Sequence, residues 1–409
     1  MMPLDTSRAP RVAVAGLSAR LLAQSAARAG LSVVALDIFG DRDTREHAGL
    51  WFDIGKPDGN GLSIDRARLY DALEHAARLP RMLGLIVTSG LEPLANELSR
   101  APGVPRFIGN GAQALAVRDP RRFFALLDEA GIPHPDVRFA PPAAPEGPDG
   151  PDGPDEPEGW LVKRPDGCGG THVEWAGDVD RIVPRAYFQR LAPGRPMSAL
   201  FVAAHREAVV IGFAEQLTVA AGRLPFVHAG SLGPALLPAD TAARVIAAIE
   251  AIVWKTDLTG LNSIDFLLDG EDFSVLEINA RPSSTMALYE TVWPDAWPRG
   301  LIGAHLEACL HGELPPVAHG CAAMTPPPPL FAGQRVVFAP EGFTVSRDFS
   351  DACFDDPACH DVPLPGARIE AGMPVCTMTF TAPAFAALRD AMEREHARLL
   401  QRIDTLSRS

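Results

Sequence analysis

The feature that most constrains this chain is an early alternation of apolar runs and a helix. The run RVAVAG at 11–16 passes into a helical stretch, Ser18 to Ala29, ended by Gly30, and then into a second run, LSVVALD, at 31–37. Neither run alternates polar with apolar residues, so each reads as a strand buried on both faces. Two such strands joined by one helix pair in parallel. A helix near 64–78, the strand GLIVTSG at 84–90 and a last short strand at Phe107 and Ile108 extend the pattern. Residues before about 115 therefore form a small α/β unit of parallel strands.

That unit is Rossmann-like, but its first turn, Ala15-Gly16-Leu17-Ser18-Ala19-Arg20, lacks the second and third glycines through which backbone approaches a pyrophosphate. Dinucleotide binding is not expected. Asp37, at the end of the second run, is placed for a ribose contact, yet without the glycines it reads as a strand-terminal acid.

The chain has 409 residues, room for two to four domains at about 100 to 200 residues each. Its 37 Lys+Arg against 51 Asp+Glu leave a net charge of −14, which argues against a nucleic-acid partner but not against a nucleotide held in a local site. No run is long enough for a membrane span, and the start lacks the apolar core of a secretory leader, so a cytoplasmic protein is expected. The six cysteines then read as free thiols; Cys353, Cys359 and His360 have no second cluster to complete a zinc site. Only three lysines occur, Lys56, Lys163 and Lys255, so a lysine beside a glycine-rich loop stands out.

Asp119 followed by Pro120 opens an amphipathic helix that Gly131 closes. The segment 141–159, with seven prolines and four glycines, reads as a disordered loop between strands at 136–140 and 160–163. From 160 to 290, strand signals and a helix at 239–254 give an α+β unit. A PPPP break at 326–329 precedes a β-rich tail closed by a helix with Phe385, Leu388, Met392, Leu399 and Ile403 on one face. The expected domains are 1–117, 118–315 and 325–409.

Three features of the middle unit carry chemistry. A strand delivers Lys163 into a loop holding Gly167, Gly169 and Gly170, residues that let backbone N–H groups converge on phosphate oxygens beside an ammonium. A second strand ends in Gln189, Arg190 and Leu191, whose extended backbone offers donors and acceptors to a purine edge. The third is a pair of strands with Asp265 on one and Glu277, Asn279 and Arg281 at alternate positions of the next, Val275 packing inward. Carboxylate and amide oxygens suit Mg²⁺ shared with substrate phosphates.

In this order the three features resemble the ATP-grasp superfamily over about residues 1–310. The resemblance implies an ATP-grasp fold with a Rossmann-like pre-ATP-grasp domain, here followed by a small β-rich cap. It implies ATP between two β-sheets, with Lys163 and the 167–170 loop over the phosphates and Gln189, Arg190 and Leu191 beside the adenine. Asp265, Glu277 and Asn279 would hold Mg²⁺, and Arg281 would face the transferring phosphoryl group. Pro120 stands where many relatives carry a phosphate lysine, leaving Arg118 and Arg121 as candidate replacements, and Arg190 stands where many carry an acid.

The leader LDIFGDRDT and the tail DVPLPG…GMPVCT resemble carboxylate-amine ligases that include tyramine–glutamate ligases of methanofuran assembly, in methanogens and one-carbon-metabolising bacteria. The activity so implied is ADP-forming amide synthesis through an acyl phosphate from small-molecule carboxylate and amine substrates. The alternatives are a carboxylase-like enzyme that forms carboxyphosphate and a non-catalytic ATP sensor. His172 and His228, the latter read in a turn, are candidate general bases. Tyr289 and Glu290 are candidate acceptor-pocket residues, and the tail is a candidate for shaping that pocket or for a homodimer contact.

Overall fold

The computed structural model describes residues 9–56, 62–141, 159–178, 185–316 and 328–406. All but the ends of the proline-rich segment 141–159 lies outside these residues, as does Cys321. The N-terminal unit runs β1 (Arg11–Ala15), α1 (Arg20–Arg28), β2 (Ser32–Asp37), α2 (Arg42–His47), β3 (Leu50–Asp53), α3 (Arg66–Ala77) and β4 (Met82–Val87). Its strands form one parallel sheet in the order β3-β2-β1-β4, and Phe107 adds a parallel bridge to Leu85. The strand expected at 84–90 ends at Val87, because Thr88–Gly90 turn and Gly90 has φ +93°. The short α2 and the half-exposed edge strand β3 lack an apolar period and are not foreseen by the sequence.

Three helices follow, α4 (Ala95–Leu98), α5 (Gln113–Arg118) and α6 (Pro120–Ala130). The start and stop of α6 are those written in the sequence: the Asp119 side chain accepts the N–H of Arg122 at 3.0 Å, Pro120 is the first residue, and Gly131 has φ +66°. A small antiparallel sheet is then built from β5 (Val137–Arg138), β6 (Trp160–Lys163), β7 (Val173–Trp175) and β8 (Tyr187–Arg190), in the order β5-β8-β6-β7.

The large sheet begins with β9 (Arg195–Ala204), β10 (Glu207–Ala221) and β11 (Leu224–Gly233). After α7 (Ala239–Thr256) it adds β12 (Gly260–Asp269) and β13 (Asp272–Asn279). Helices α8 (Met286–Val292) and α9 (Gly300–His311) precede β14 (Phe331–Phe338), β15 (Phe343–Thr344), α10 (Arg347–Phe354), β16 (Cys359–His360), β17 (Arg368–Ile369), β18 (Pro374–Ala382) and α11 (Phe385–Leu406). The order across this sheet is β13-β12-β9-β10-β11-β14-β18-β16, so strands from the tail continue it directly.

Central strand β9 explains how the units hold together. Ala199, Phe201 and Ala203 face one core with α6 and α7, while Leu200, Val202 and Ala204 face another with β1, β2, α1 and α9. Both faces are covered, which is why ALFVAA is apolar throughout. The tail has its own core, including Phe349, Cys353, Cys359, Cys376 and the α11 residues Leu399 and Ile403. Leu388 and Met392, earlier on α11, pack instead with Leu232 of the large sheet.

One strand departs from simple alternation. Val275 and Glu277 have the same parity, yet Val275 is fully buried while Glu277 faces a cleft. The register with β12 steps from Asp265↔Glu277 to Phe266↔Val275, which makes Leu276 the extra residue of a β-bulge. The bulge re-aims the distal half of β13, so that its acid and amide turn toward the small sheet.

Candidate functional site

The small sheet and the large sheet face each other across a cleft of about 270 Å³. Of the residues singled out from the sequence, Lys163, Gly169, Gly170, Gln189, Arg190 and Leu191 line it from one side. Asp265, Glu277, Asn279 and Arg281 line it from the other. Gly167 does not reach the cleft. A Cβ there would lie 2.0 Å from the Cβ of His172, so Gly167 serves close packing, beside a smaller cavity that it shares with Arg118 and Pro120.

Lys163 is buried at the end of β6, and burial lowers its pKa against the raising pull of Glu277 and Asp265. The loop that follows is pinned to β11: His228 donates its N–H to Gly169 O at 3.0 Å, and a Cβ on Gly170 would fall 1.8 Å from Phe226 O. Gly170 is therefore required by the backbone it touches. Arg118 donates to Pro165 O and, at 3.4 Å, to Gly167 O, which steadies the loop from below. Arg121, the other candidate for the missing phosphate lysine, lies over the Phe139 ring at 4.2 Å.

At the other end of β8, the Gln189 amide nitrogen is buried without a hydrogen-bond partner among the described residues. An unpaired buried donor costs about 1–3 kcal/mol, so an aimed ligand acceptor is the natural complement. The backbone offers less than its extended form suggests. The N–H of Arg190 goes to Asp136 O at 2.8 Å and that of Leu191 to Gly159 O at 2.7 Å, which leaves the side chain of Gln189 as the donor here.

The facing acids repel one another. Asp265 and Glu277 are register partners on adjacent strands, and burial followed by the charge of Glu277 pushes Asp265 up to about 7. Burial would also raise Glu277, but His172, Lys163, Arg118 and Arg281 outweigh it and hold the group below its usual value. The Asn279 amide donates to Asp265 Oδ2 at 3.0 Å, and Gln216 of β10 donates to Asp265 Oδ1 at 2.7 Å. Two crowded carboxylates with an amide oxygen beside them form a hard donor set. It fits Mg²⁺, which typically takes one or two protein carboxylates and completes its shell with water and phosphate. Asp265, Glu277 and Asn279 are the residues that would hold it.

Arg281 is locked by a residue the motifs missed. Its Nε donates to Glu92 Oε1 at 2.6 Å, Nη2 to Asn279 Oδ1 at 3.3 Å and Nη1 to Pro282 O at 3.1 Å. Glu92 comes from the turn after β4, and its other oxygen accepts the N–H of Gly90 at 2.7 Å. That turn lies at the carboxyl end of a parallel strand, where α/β sheets commonly place ligand contacts; this was the available signal. Ser89 of the same turn lines the cleft opposite Ser283, Ser284 and Thr285.

The two histidines meet different fates. His172 is buried at the cleft with Nε2 4.0 Å from Glu277 Oε2 and Nδ1 unpaired among the described residues; burial lowers its pKa. His228 sits within strand β11 rather than in a turn, and burial with the charge of Arg281 lowers it to about 4, so it is neutral at physiological pH. Tyr289 and Glu290 are not at the cleft. Tyr289 stacks on Trp293 in the core, with ring centroids 6.2 Å apart. Glu290 accepts from Ser25 Oγ at 2.5 Å and from Leu301 N at 2.6 Å, and it pairs with Arg28. Helix α8 turns this pair inward, against α1 and the start of α9.

Asp37 is likewise spent on structure. Its carboxylate accepts the N–H groups of Ala19 and Gly40, each at 2.9 Å, and the indole N–H of Trp51 at 2.8 Å.

Comparison with known proteins gives a consistent picture of the architecture. Residues 117–285 match a family model described as an ATP-grasp domain. No curated protein matches. Among solved structures, an L-amino acid ligase from Bacillus licheniformis is similar with a TM-score of 0.64 at 14% identity, covering 95% of this chain and 97% of that one. An N5-carboxyaminoimidazole synthase from Aspergillus clavatus, in complex with ADP and an aminoimidazole ribonucleotide, gives 0.64 at 13%, covering 97% and 99%. A biotin carboxylase from Campylobacter jejuni, described as a beta-gamma-ATP complex, gives 0.62 at 13%, covering 91% and 87%. At these identities the likeness speaks for the fold.

Proposed function

From the premise that the chain has the ATP-grasp fold, we propose that it is an ATP-dependent, ADP-forming ligase that joins a carboxylate to an amine, with Mg²⁺ as its resident ion. The observation that carries the reading is the convergence on one cleft of the only buried cleft lysine, Lys163, with Asp265, Glu277, Asn279 and Arg281. The unpaired Gln189 amide is the complement a purine would fill. Bound there, Mg²⁺ would neutralise charge on the phosphates.

In the proposed reaction a carboxylate oxygen attacks the γ-phosphorus of ATP, and ADP leaves with the electrons of the broken P–O bond. The amine nitrogen then attacks the acyl carbon, the C–O bond to phosphate breaks, and the amine proton passes to a base. The protein's own work is to hold charge in place: the Lys163 ammonium beside the phosphates and the Arg281 guanidinium, fixed by Glu92, beside the transferred group. His172, at the Glu277 side of the cleft with its Nδ1 unpaired among the described residues, is the better-placed base of the two histidines considered.

Release of ADP in a screen of carboxylates with amines tests the reading. Glutamate with tyramine is the first pair, as the finer assignment to a tyramine–glutamate ligase-like role in a one-carbon pathway requires. ADP formation with bicarbonate alone, independent of any amine, would instead support the carboxyphosphate reading, which the similarity to two carboxylase-related folds keeps in view. Binding of ATP without turnover under every pairing would leave the sensor.

A further inference from the structure

The end of the cleft away from Gln189 is bounded by Arg281 and by Ser89, His228, Ser283, Ser284 and Thr285. Under that end the large sheet presents a row of uncharged polar residues. Gln216 of β10 lines the cleft, its register partner on β11 is Ser231, and the partner of Ser231 on β14 is Gln334. Residues directly opposite in an antiparallel pair share a face, so all three look the same way. The opposite face is taken by α11, whose Leu388 and Met392 pack with Leu217 and Leu232. On the near face, Ala214 and Ala332, two positions before Gln216 and Gln334, are covered by Leu288 and Val292 of α8. The row therefore lies beyond the α8 contact, on the side where Gln216 borders the cleft.

A chain of contacts bounds the same space from the tail. Gln334 stands opposite Thr379 of β18, whose hydroxyl is 3.1 Å from His360 Nε2. The next residue, Asp361, accepts from Ser18 Oγ at 3.3 Å, and the preceding Leu17 donates its N–H to Ser89 O at 2.8 Å, back at the cleft. The acids of this seam are engaged: Arg20 holds Asp361, and Asp43 accepts the N–H groups of Asp361 and Val362.

Two members of the row are not engaged. The Ser231 hydroxyl is fully buried and unpaired among the described residues, and the Gln334 side chain, 5% exposed, makes no hydrogen bond among them. Buried polar side chains are hydrogen-bonded in the large majority of cases, so two neighbouring exceptions on one face beside a cavity point to a ligand. This end of the cleft is also electrically neutral. His228 is uncharged at neutral pH, and the charge of Arg281 is balanced by Glu92 at 2.6 Å. A second carboxylate or an ammonium brought here is desolvated without a counter-ion, whereas a carboxamide donates and accepts as a Gln amide and hydroxyls do.

We propose that this end of the cleft, with Gln334 as its selecting residue, receives the far end of the acid substrate, and that the group it takes is an uncharged hydrogen-bonding one of the carboxamide class. The tail thus reaches the site through one residue of β14. The inference rests on the ligase reading for its orientation, with the reacting carboxylate at Arg281, and adds the class of the acid.

The test uses the full chain and four acids of similar length: succinamate, succinate, 4-aminobutyrate and valerate, which end in a carboxamide, a carboxylate, an ammonium and a methyl group. ADP release is read with hydroxylamine as a common small amine. Binding is read separately, as the rise in unfolding temperature with magnesium and a non-hydrolysable ATP analogue present. Succinamate should exceed each other acid about tenfold or more in kcat/KM and in apparent affinity. Gln334→Leu should erase its advantage over valerate and unfold at the same temperature or higher, because no bond is lost. Asn110→Leu, which breaks the bonds of that amide to Thr259, Asn262 and Ala280, should unfold lower and marks a structural role. Gln334→Glu should move the preference to 4-aminobutyrate. The proposal is overturned if any other acid matches succinamate in the unsubstituted chain, if no acid binds, if Gln334→Leu keeps the carboxamide preference, or if it destabilises as Asn110→Leu does. ADP release that favours succinate or ignores Gln334 sinks the inference and spares the ligase. Binding that prefers succinamate and depends on Gln334, without ADP release from any acid, does the reverse.

Discussion

The chain buries carboxylates in two places, and the two differ in what balances them. In the cleft, Asp265, Glu277 and Glu92 face Lys163, Arg281 and Arg118, so cations from three segments offset the cost of burial. At the seam between the N-terminal unit and the tail, four aspartates share Arg20, and backbone N–H groups do most of the remaining work. The first arrangement leaves charge facing an open volume, as the proposed nucleotide site requires. The second holds two parts of the chain together. Burial of charge by itself therefore does not mark an active site; the informative quantity is which groups remain unpaired.

The largest effect that would sharpen this contrast comes from Glu92→Ala. Removing one partner of a buried ion pair typically costs about 3–5 kcal/mol, and here it also releases Gly90. Denaturant unfolding should show that loss. If stability is unchanged, Glu92 is not what holds Arg281. Lys163→Ala should come next, lowering ADP formation by roughly a hundredfold, about 3 kcal/mol of barrier, while the unfolding temperature moves little because the ammonium is itself held at a desolvation cost. Normal turnover in that variant would remove the cleft from consideration.

Asp37→Asn probes the carboxylate whose role is purely structural. It weakens three accepted hydrogen bonds and should cost about 1–3 kcal/mol of stability, with ADP formation per folded molecule unaltered. A fall in turnover without a fall in stability would return Asp37 to the functional set.

The gentlest effect is a slope with pH. Because the Asp265 pKa is raised to about 7 in the folded chain against 3.8 as its ordinary value, the native state binds more protons than the unfolded one across that window. Asp265 accordingly makes the ligand-free chain lose stability as pH rises from about 4 toward 7, and Asp265→Asn should flatten that part of the profile. Magnesium with ATP should flatten it too, by stabilising the ionised carboxylate. A profile identical in chain and variant would show that burial and Glu277 do not raise the Asp265 pKa.

Much of this was legible in the residues themselves. The β1-α1-β2 start, the cap, proline and glycine that bound α6, and strand β6 delivering Lys163 are written in local patterns, because periodicity and backbone preference act over a few neighbours. The residues quoted for the cleft could be grouped from their order, and the structure does bring all but Gly167 of them to it. Local patterns misled where a residue's surroundings come from far along the chain. Tyr289 and Glu290 come shortly after β13, which carries Glu277 and Asn279, yet α8 carries them into the core against α1. His228 reads as a turn residue but lies in a strand between β10 and β14.

The sequence by itself located most of the strands and the side chains grouped around the cleft, since both follow from spacing and residue chemistry, but it did not show that β14, β18 and β16 of the tail continue the large sheet. Only the tertiary structure decided two further things: that a bulge at Leu276 turns Glu277 away from Val275, and that Glu92, 189 positions away, secures Arg281. Each depends on contacts between distant segments, and whether a charge is paired or bare is a property of the assembled neighbourhood, which no window of sequence contains.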